Sequence, residues 1–297
     1  MPAYQARLAF LESRGRGKRF TARRGAVESI LRAAYAFDWP ARAWGLVPGA
    51  CDVRVERRVL RVLPPRMPSL RVAFASDLHL GPTTPDAILV RAENLLREAR
   101  PDVLLLGGDY VFLDATPTKA ARLAQFVRRV EAPRTLAVMG NHDLWTEHHL
   151  LERALEAAGA EVLVNDGVRL EGAHDRVLVG GIDDPWTGSP DASRAFRRKR
   201  NGDVAIAFSH APEALPLAQA FDPVLLVCGH THGGHVALPG GIPIVAPGPM
   251  SRKHHAGSYH LGTTELVVSR GLGGIEVAFR LFAPPDVVIV DLLPSAR

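Results

Sequence analysis

Five short apolar runs in this chain end the same way, in a polar turn that carries Asp, His or Asn. Residues 72–75 lead into Ser76-Asp77-Leu78-His79, residues 103–106 into Gly107-Gly108-Asp109, and residues 136–139 into Gly140-Asn141-His142-Asp143. Residues 204–208 end at Ser209-His210, and residues 224–227 at Cys228-Gly229-His230-Thr231-His232. Runs of this length bounded by turns read as strands buried on both faces. Helical patterns at residues 85–100 and 119–130 lie between the early ones, so an α/β fold is predicted. Open α/β sheets bind ligands beyond the C-terminal ends of their strands. The five turns therefore fall where a site belongs.

Imidazole together with carboxylate suits Mn, Fe, Zn or Co, whereas Mg or Ca sites are built mainly from oxygen donors. On extended chain the Asp-x-His spacing puts Asp77 and His79 on one side, able to reach one ion. His230 and His232 are expected to do the same. Asp109, alone on its strand, could bridge two ions with its two carboxylate oxygens. Gly107, Gly108, Gly140 and Gly229 allow sharp turns and close backbone approach. Each motif alone has an ordinary explanation as a turn, a helix cap or a core histidine. All five in order do not.

The remaining sequence sets the frame. The chain has 297 residues, 47% apolar and 23% charged, enough to bury a sizeable core without disulfides. Its two cysteines, Cys51 and Cys228, exclude a disulfide scaffold and fit a reducing compartment. Residues 1–70 hold 14 Lys/Arg against 5 Asp/Glu, while the remainder holds 22 against 26. The basic excess thus belongs to the N-terminal segment, and nucleic acid is not an expected partner. We divide the chain into a basic extension, residues 1–69, and a catalytic domain, residues 70–297. The extension is expected to be Arg-rich and poorly ordered over 1–24, helical over 25–39 with a stripe of Val27, Ile30, Leu31 and Ala34, and an exposed or edge strand over 52–63. No apolar run is long enough for a membrane span, and the stretch after Arg23-Arg24 is too charged for a twin-arginine export signal. The expected location is cytoplasmic. Packing of residues 1–50 on their own domain and docking on an anionic membrane, on its inner face, are both open, the latter suggested by the basic helix and by Trp39 and Trp44.

The series Asp77-x-His79, Gly108-Asp109, Gly140-Asn141-His142-Asp143, His210 and Gly229-His230-x-His232 resembles the calcineurin-like metallophosphoesterases over residues 70–293. Ser76-Asp77-Leu78-His79-Leu80-Gly81, Gly229-His230-Thr231-His232-Gly233-Gly234, the tail at residues 268–273 and Arg280-Leu281-Phe282 are similar to a bacterial subgroup. That subgroup includes membrane-associated phosphoesterases and UDP-diacylglucosamine pyrophosphatases. The resemblance implies a sandwich of two mixed β-sheets flanked by α-helices. It implies two divalent metal ions, manganese foremost, with Fe, Zn or Co as alternatives. One would be held by Asp77, His79, Asp109 and His232, the other by Asp109, Asn141, His210 and His230. His142 would be the catalytic histidine, oriented by Asp143. His235 departs from the subgroup, which usually has Gln there, and bears on leaving-group preference.

Two such ions lower the pKa of a shared water and clamp the phosphoryl oxygens, so hydroxide held between them attacks phosphorus in line. His142 then protonates the leaving oxygen or stabilises the phosphoryl group. The resemblance implies a phosphodiester, phosphomonoester or pyrophosphate as substrate. The alternatives are a lipid pyrophosphatase of lipid A synthesis at the membrane, a soluble cyclic nucleotide phosphodiesterase, or a catalytically silent binding module of the same fold. Arg197 and Arg198 sit in a basic run that reads either as a solvated loop or as a lid over an anionic substrate, and His235 is a further candidate substrate contact. Asp183-Asp184-Pro185-Trp186 reads as a turn that could line the pocket. His254 and His255 read as surface residues, and Cys228 as a buried filler.

Overall fold

A computed structural model describes residues 21–295. The chain enters through α1 (Ala22–Ala34) and α2 (Trp39–Gly45), then forms β1 (Arg54–Leu63) and β2 (Leu70–Ala75). Alternation follows, with α3 (Asp86–Ala99), β3 (Val103–Leu106), α4 (Pro117–Val130), β4 (Arg134–Ala137), α5 (Asn141–Leu144), α6 (His148–Ala157) and β5 (Ala160–Val162). Next come β6 (Asp166–Arg169), β7 (Val177–Gly181), α7 (Ala192–Ala195), β8 (Val204–Phe208), α8 (Leu215–Ala218) and β9 (Leu225–Cys228). A hairpin of β10 (Ala237–Leu238) and β11 (Ile242–Pro243), then α9 (Pro249–Lys253), β12 (Gly257–Leu261), β13 (Thr264–Val268) and β14 (Asp286–Pro294) complete it.

The larger strands form two six-stranded mixed sheets, ordered β1-β14-β2-β3-β4-β5 and β12-β13-β9-β8-β7-β6. Side chains alternate across each strand, so every central strand serves two cores. Val72 and Phe74 of β2 face the second sheet, where they meet Val179, Ile206 and Val227. Ala73 and Ala75 turn the other way, onto Leu89, Leu96, Leu123 and Phe126 of α3 and α4. Ala205, Ala207 and Leu226 do the same on the second sheet, against Phe196 and Leu215. Both faces of the central strands are dry, which is why those strands read as uninterrupted apolar runs.

Local signals set the helices. Thr116 caps α4 by accepting the Lys119 N–H, and Pro117 occupies the first turn, where its missing donor costs nothing. The strand expected over 52–63 is β1, an edge strand that pairs in parallel with β14 over Arg54–Leu63. It lies within the first sheet, so the boundary drawn at residue 69 crosses that sheet.

The N-terminal helix departs from the sequence reading. Residues 1–20 lie outside the described part, and residues 22–24 already belong to α1. Its apolar stripe faces outward, with Ile30 66% exposed, while Glu28 is buried. Ion pairing overrides hydrophobic periodicity here. Arg24 donates Nε–H to Glu28 at 3.1 Å and Nη1–H to Glu276, while the Tyr35 hydroxyl donates to the Glu276 carbonyl at 2.6 Å. Among the described residues, no helix is long and apolar enough to cross a membrane.

Candidate metal centre

β2, β3 and β4 run parallel in one sheet, as β8 and β9 do in the other, and they deliver their terminal turns to one edge of the sandwich. Beyond the strands the loops stay zipped. Asp77 N–H donates to the Gly108 carbonyl at 2.8 Å, His79 N–H to Asp109 at 3.0 Å and Leu80 N–H to Tyr110 at 2.8 Å. The turns themselves are not extended. Asp77, His79, Asp109, His230 and His232 all have positive φ, between 43° and 71°. Left-handed backbone costs about 1–2 kcal/mol at a non-glycine residue and marks sites held by their surroundings. Strand alternation is therefore not what brings Asp77 and His79 together, as the sequence had suggested.

Two clusters result. In the first, His79 Nε2 and His232 Nε2 lie 3.1 Å apart, and His232 Nε2 is 3.5 Å from Asp77 Oδ1. In the second, His210 Nε2 lies 3.0 Å from His230 Nδ1, 3.1 Å from Asn141 Oδ1 and 3.2 Å from Asp109 Oδ2. His230 and His232 thus serve different clusters, because both have left-handed backbone with right-handed Thr231 between them, and the strand alternation that would keep them on one side is absent. The same Oδ2 of Asp109 is 3.6 Å from His79 Nε2. Asp109 faces both clusters through this one oxygen, not through two, because Oδ1 accepts the His142 N–H at 2.8 Å.

The donor set fits divalent cations. Asp77, His79, Asp109, Asn141, His210 and His232 are buried. Among the described residues neither carboxylate takes a hydrogen bond from lysine or arginine; they accept from Ser76, from backbone N–H groups and from histidine. His210 donates its Nδ1–H to the Gly107 carbonyl at 2.8 Å, which aims Nε2 at Asp109 and into the cluster, where a cation would take the place of the proton that this nitrogen otherwise carries. Buried acceptors converging in this way are satisfied by a metal ion. The clusters Asp77–His79–His232 and Asp109–His210–His230 could each hold one. Electrostatics of the metal-free chain agree. Burial pushes Asp77 up to about 6 and His79 down to about 4. Burial also lowers His142 and His232 well below the ordinary histidine value, so both rings are neutral. Burial lowers His210 too, but Asp109 and Asp77 outweigh it and hold that ring well above the usual value.

His142 stands beside the first cluster, its ring 4.9 Å from that of His79, 4.9 Å from Trp145 and 5.7 Å from Phe112. Asp143 does not orient it. The Asp143 carboxylate accepts the N–H groups of Tyr110 at 2.8 Å, Val111 at 3.3 Å and Gly140 at 3.0 Å. It braces the β3 and β4 loops against each other, and ring packing holds His142. Arg197 and Arg198 are not brought to the clusters either. Arg197 pairs with Asp166 at 3.1 Å and Arg198 donates to the Gly167 carbonyl, at the β6 edge of the second sheet. His235 is brought near, its ring 5.6 Å from His232, but its Nε2–H donates to the Val277 carbonyl at 2.9 Å.

Sequence reasoning missed one neighbour. Arg280 is buried and donates Nη2–H to His232 Nδ1 at 2.9 Å, while its other N–H groups bond the carbonyls of Arg270, Gly273 and Ala283. Its place in Arg280-Leu281-Phe282 was visible, but nothing in the sequence links it to His232. Trp186, in the turn that the sequence offered as pocket lining, is brought there, with its ring 5.0 Å from that of His230. His254 packs on Tyr259 and the His255 carbonyl accepts from Thr231, neither within a cluster, and Cys228 is buried among apolar residues.

The sequence model for calcineurin-like phosphoesterases matches residues 70–234. A phosphodiesterase of Escherichia coli K12, YaeI, is 30% identical over 231 residues, covering 75% of this chain and 82% of that protein. An uncharacterised metallophosphoesterase of Bacillus subtilis 168, YkuE, is 26% identical over 234 residues, covering 78% and 82%. A metallophosphoesterase of Aquifex aeolicus VF5 is 27% identical over 261 residues, covering 81% and 92%.

Proposed function

This chain belongs to the calcineurin-like phosphoesterase family and is a hydrolase of phosphoric esters, and from that premise we propose that it cleaves a phosphodiester at a centre of two divalent cations. Asp77, His79, Asp109 and His232 would hold one cation, and Asp109, Asn141, His210 and His230 the other. Manganese suits this mixture of imidazole, carboxylate and amide oxygen. The single observation that carries the reading is Asp109 Oδ2, which lies within 3.6 Å of a histidine nitrogen in each cluster. When bound, such a pair of cations lowers the pKa of water and neutralises charge on the phosphoryl oxygens.

The chain's own residues do the remainder. Asp109 keeps the two clusters in register and supplies the negative charge that both need. The His142 ring, neutral and packed against His79 and Trp145, sits where its N–H can donate to a phosphoryl or leaving-group oxygen. Asp143 holds the Gly140 and Tyr110 amides, and so fixes the backbone on which Asn141 and His142 stand. The diester is favoured as substrate because the E. coli relative bears the name phosphodiesterase.

The test is hydrolysis of an aryl phosphodiester, an aryl phosphomonoester and a UDP-linked lipid pyrophosphate by chelator-treated protein, with and without added manganese. Manganese-dependent cleavage of the aryl diester above the monoester is expected. Cleavage that survives complete metal removal would sink the two-cation reading. Preference for the lipid pyrophosphate would replace the diester as substrate.

A further inference from the structure

Exposed apolar side chains are concentrated on one side of the molecule. Of the fifteen large ones among the described residues, all but Val59 and Leu217 fall on three stretches, residues 27–47, 238–245 and 279–282. These stretches are far apart in sequence but joined in space. Tyr35 of the first bonds Glu276, and Trp44 packs on Phe279 with ring centroids 6.4 Å apart. Together they line an open apolar groove of about 320 Å³. The Ala237 N–H donates to the Leu281 carbonyl at 2.9 Å, which ties the β10–β11 hairpin to the third stretch. Single exposed apolar residues need no explanation, but a contiguous set this large marks an interaction surface.

This face borders the metal centre. Leu281 N–H donates to the His235 carbonyl, His235 in turn reaches Val277, and buried Arg280, flanked by exposed Phe279 and Leu281, donates to His232. From the other direction, Arg24 of α1 lies over the Trp145 ring at 5.3 Å, and Trp145 packs on His142. The charge around the face is predominantly positive. Arg23, Arg42, Arg252 and Lys253 are exposed on it, residues 236–253 contain no Asp or Glu, and Glu276 is taken by Arg24. Among exposed carboxylates of residues 21–47 only Asp38 opposes them.

We propose that this face docks on an anionic lipid bilayer and holds the two clusters at the lipid surface. Protruding side chains on a helix pair, a hairpin tip and a loop make an uneven surface, which suits deformable lipid better than a rigid protein partner. The cationic fringe matches anionic headgroups, and apolar side chains enter the boundary between headgroups and acyl chains. The groove is lined by Val277, whose carbonyl accepts from His235, and it could take the acyl part of an amphiphile. The proposal rests on the clusters being the catalytic centre. It differs from docking through a basic N-terminal helix, because two of its three apolar stretches lie beyond residue 237.

The test is sedimentation of the full chain with vesicles of phosphatidylglycerol mixed with phosphatidylcholine, and with phosphatidylcholine alone. The comparison is a triple variant, Leu46→Ser, Ile244→Ser and Phe282→Ser, none of which touches the clusters. The unaltered chain should sediment with the anionic vesicles, and the triple variant should lose roughly a hundredfold in partition while still cleaving the aryl diester. The proposal is overturned if the unaltered chain stays in the supernatant, or if the variant sediments as well as its parent. It is also overturned if ultracentrifugation shows a dimer that the variant breaks, since the face would then belong to a second copy. Failure of aryl diester cleavage by the unaltered chain, with sedimentation intact, would sink the reading of the site and not this one.

Discussion

Asp109 Oδ1 accepts the backbone N–H of His142 at 2.8 Å, and this leaves Oδ2 alone to face the histidines of both clusters. One carboxylate therefore has two tasks. One oxygen anchors the loop that presents His142 and Asn141, and the other supplies charge between the clusters. The two tasks separate on substitution.

Asp109→Asn keeps an oxygen for the His142 N–H and loses the charge. The fold should survive, while bound manganese falls below two per chain and diester hydrolysis falls by roughly 10²–10³-fold or more. Metal content by mass spectrometry and circular dichroism on the same sample check both halves. A variant with two bound ions and intact turnover would remove Asp109 from the centre.

His142→Ala removes a ring that packs on His79 and Trp145 but lies outside both clusters. Metal content should stay near that of the parent, and kcat should drop by about 10²–10⁴-fold. Loss of metal in step with activity would make His142 a ligand instead.

Gly229→Ala probes a close approach in the site. A methyl group there overlaps the Asp77 carboxylate and the Ser76 side chain. Overpacking of this kind costs about 1–3 kcal/mol. It should push Asp77 away from His232 and lose the first cation, while the second, held by Asp109, Asn141, His210 and His230, remains. Metal content near one per chain is the expected reading, and two per chain would show that Asp77 is dispensable.

Asp184 gives a pH signature in the metal-free chain. Burial pushes its carboxyl up to about 7 from 3.8, against the opposing influence of His210. A carboxyl with a raised folded pKa binds its proton more tightly in the native state. Its contribution to stability is therefore complete below about pH 4 and is lost as the pH rises toward about 7. Asp184→Asn cannot ionise, and one amide oxygen can still accept the Thr187 N–H. Between those pH values the unfolding free energy from urea titration of chelator-treated parent should fall by a few kcal/mol more than that of the variant. Parallel pH profiles would clear Asp184 of this role.

Much of the site was legible because strands buried on both faces must be apolar, so polar residues just beyond them stand out. Asp77, His79, Asp109, Asn141, His210, His230 and His232 were all visible in this way. Asp143 was misread because its neighbour is His142, whereas its carboxylate satisfies backbone amides of a loop some thirty residues earlier. Arg197 and Arg198 stayed open between a solvated loop and a lid, because a basic run looks the same beside a site as beside Asp166. The stripe on α1 was misread because Arg24 and Glu276, 252 positions apart, draw Glu28 inward.

By itself the sequence determined the layered α/β architecture and which residues could bind metal, since periodicity and turn chemistry are local and act through neighbours along the chain. Only the tertiary structure decided how those residues divide into two clusters, which oxygen of Asp109 joins them, and that Arg280 stands behind His232. Those relations depend on left-handed turns at Asp77, His79, His230 and His232, and on loops zipped across strands. Such turns cost free energy where they occur, and long-range hydrogen bonds that no local pattern encodes hold them in place.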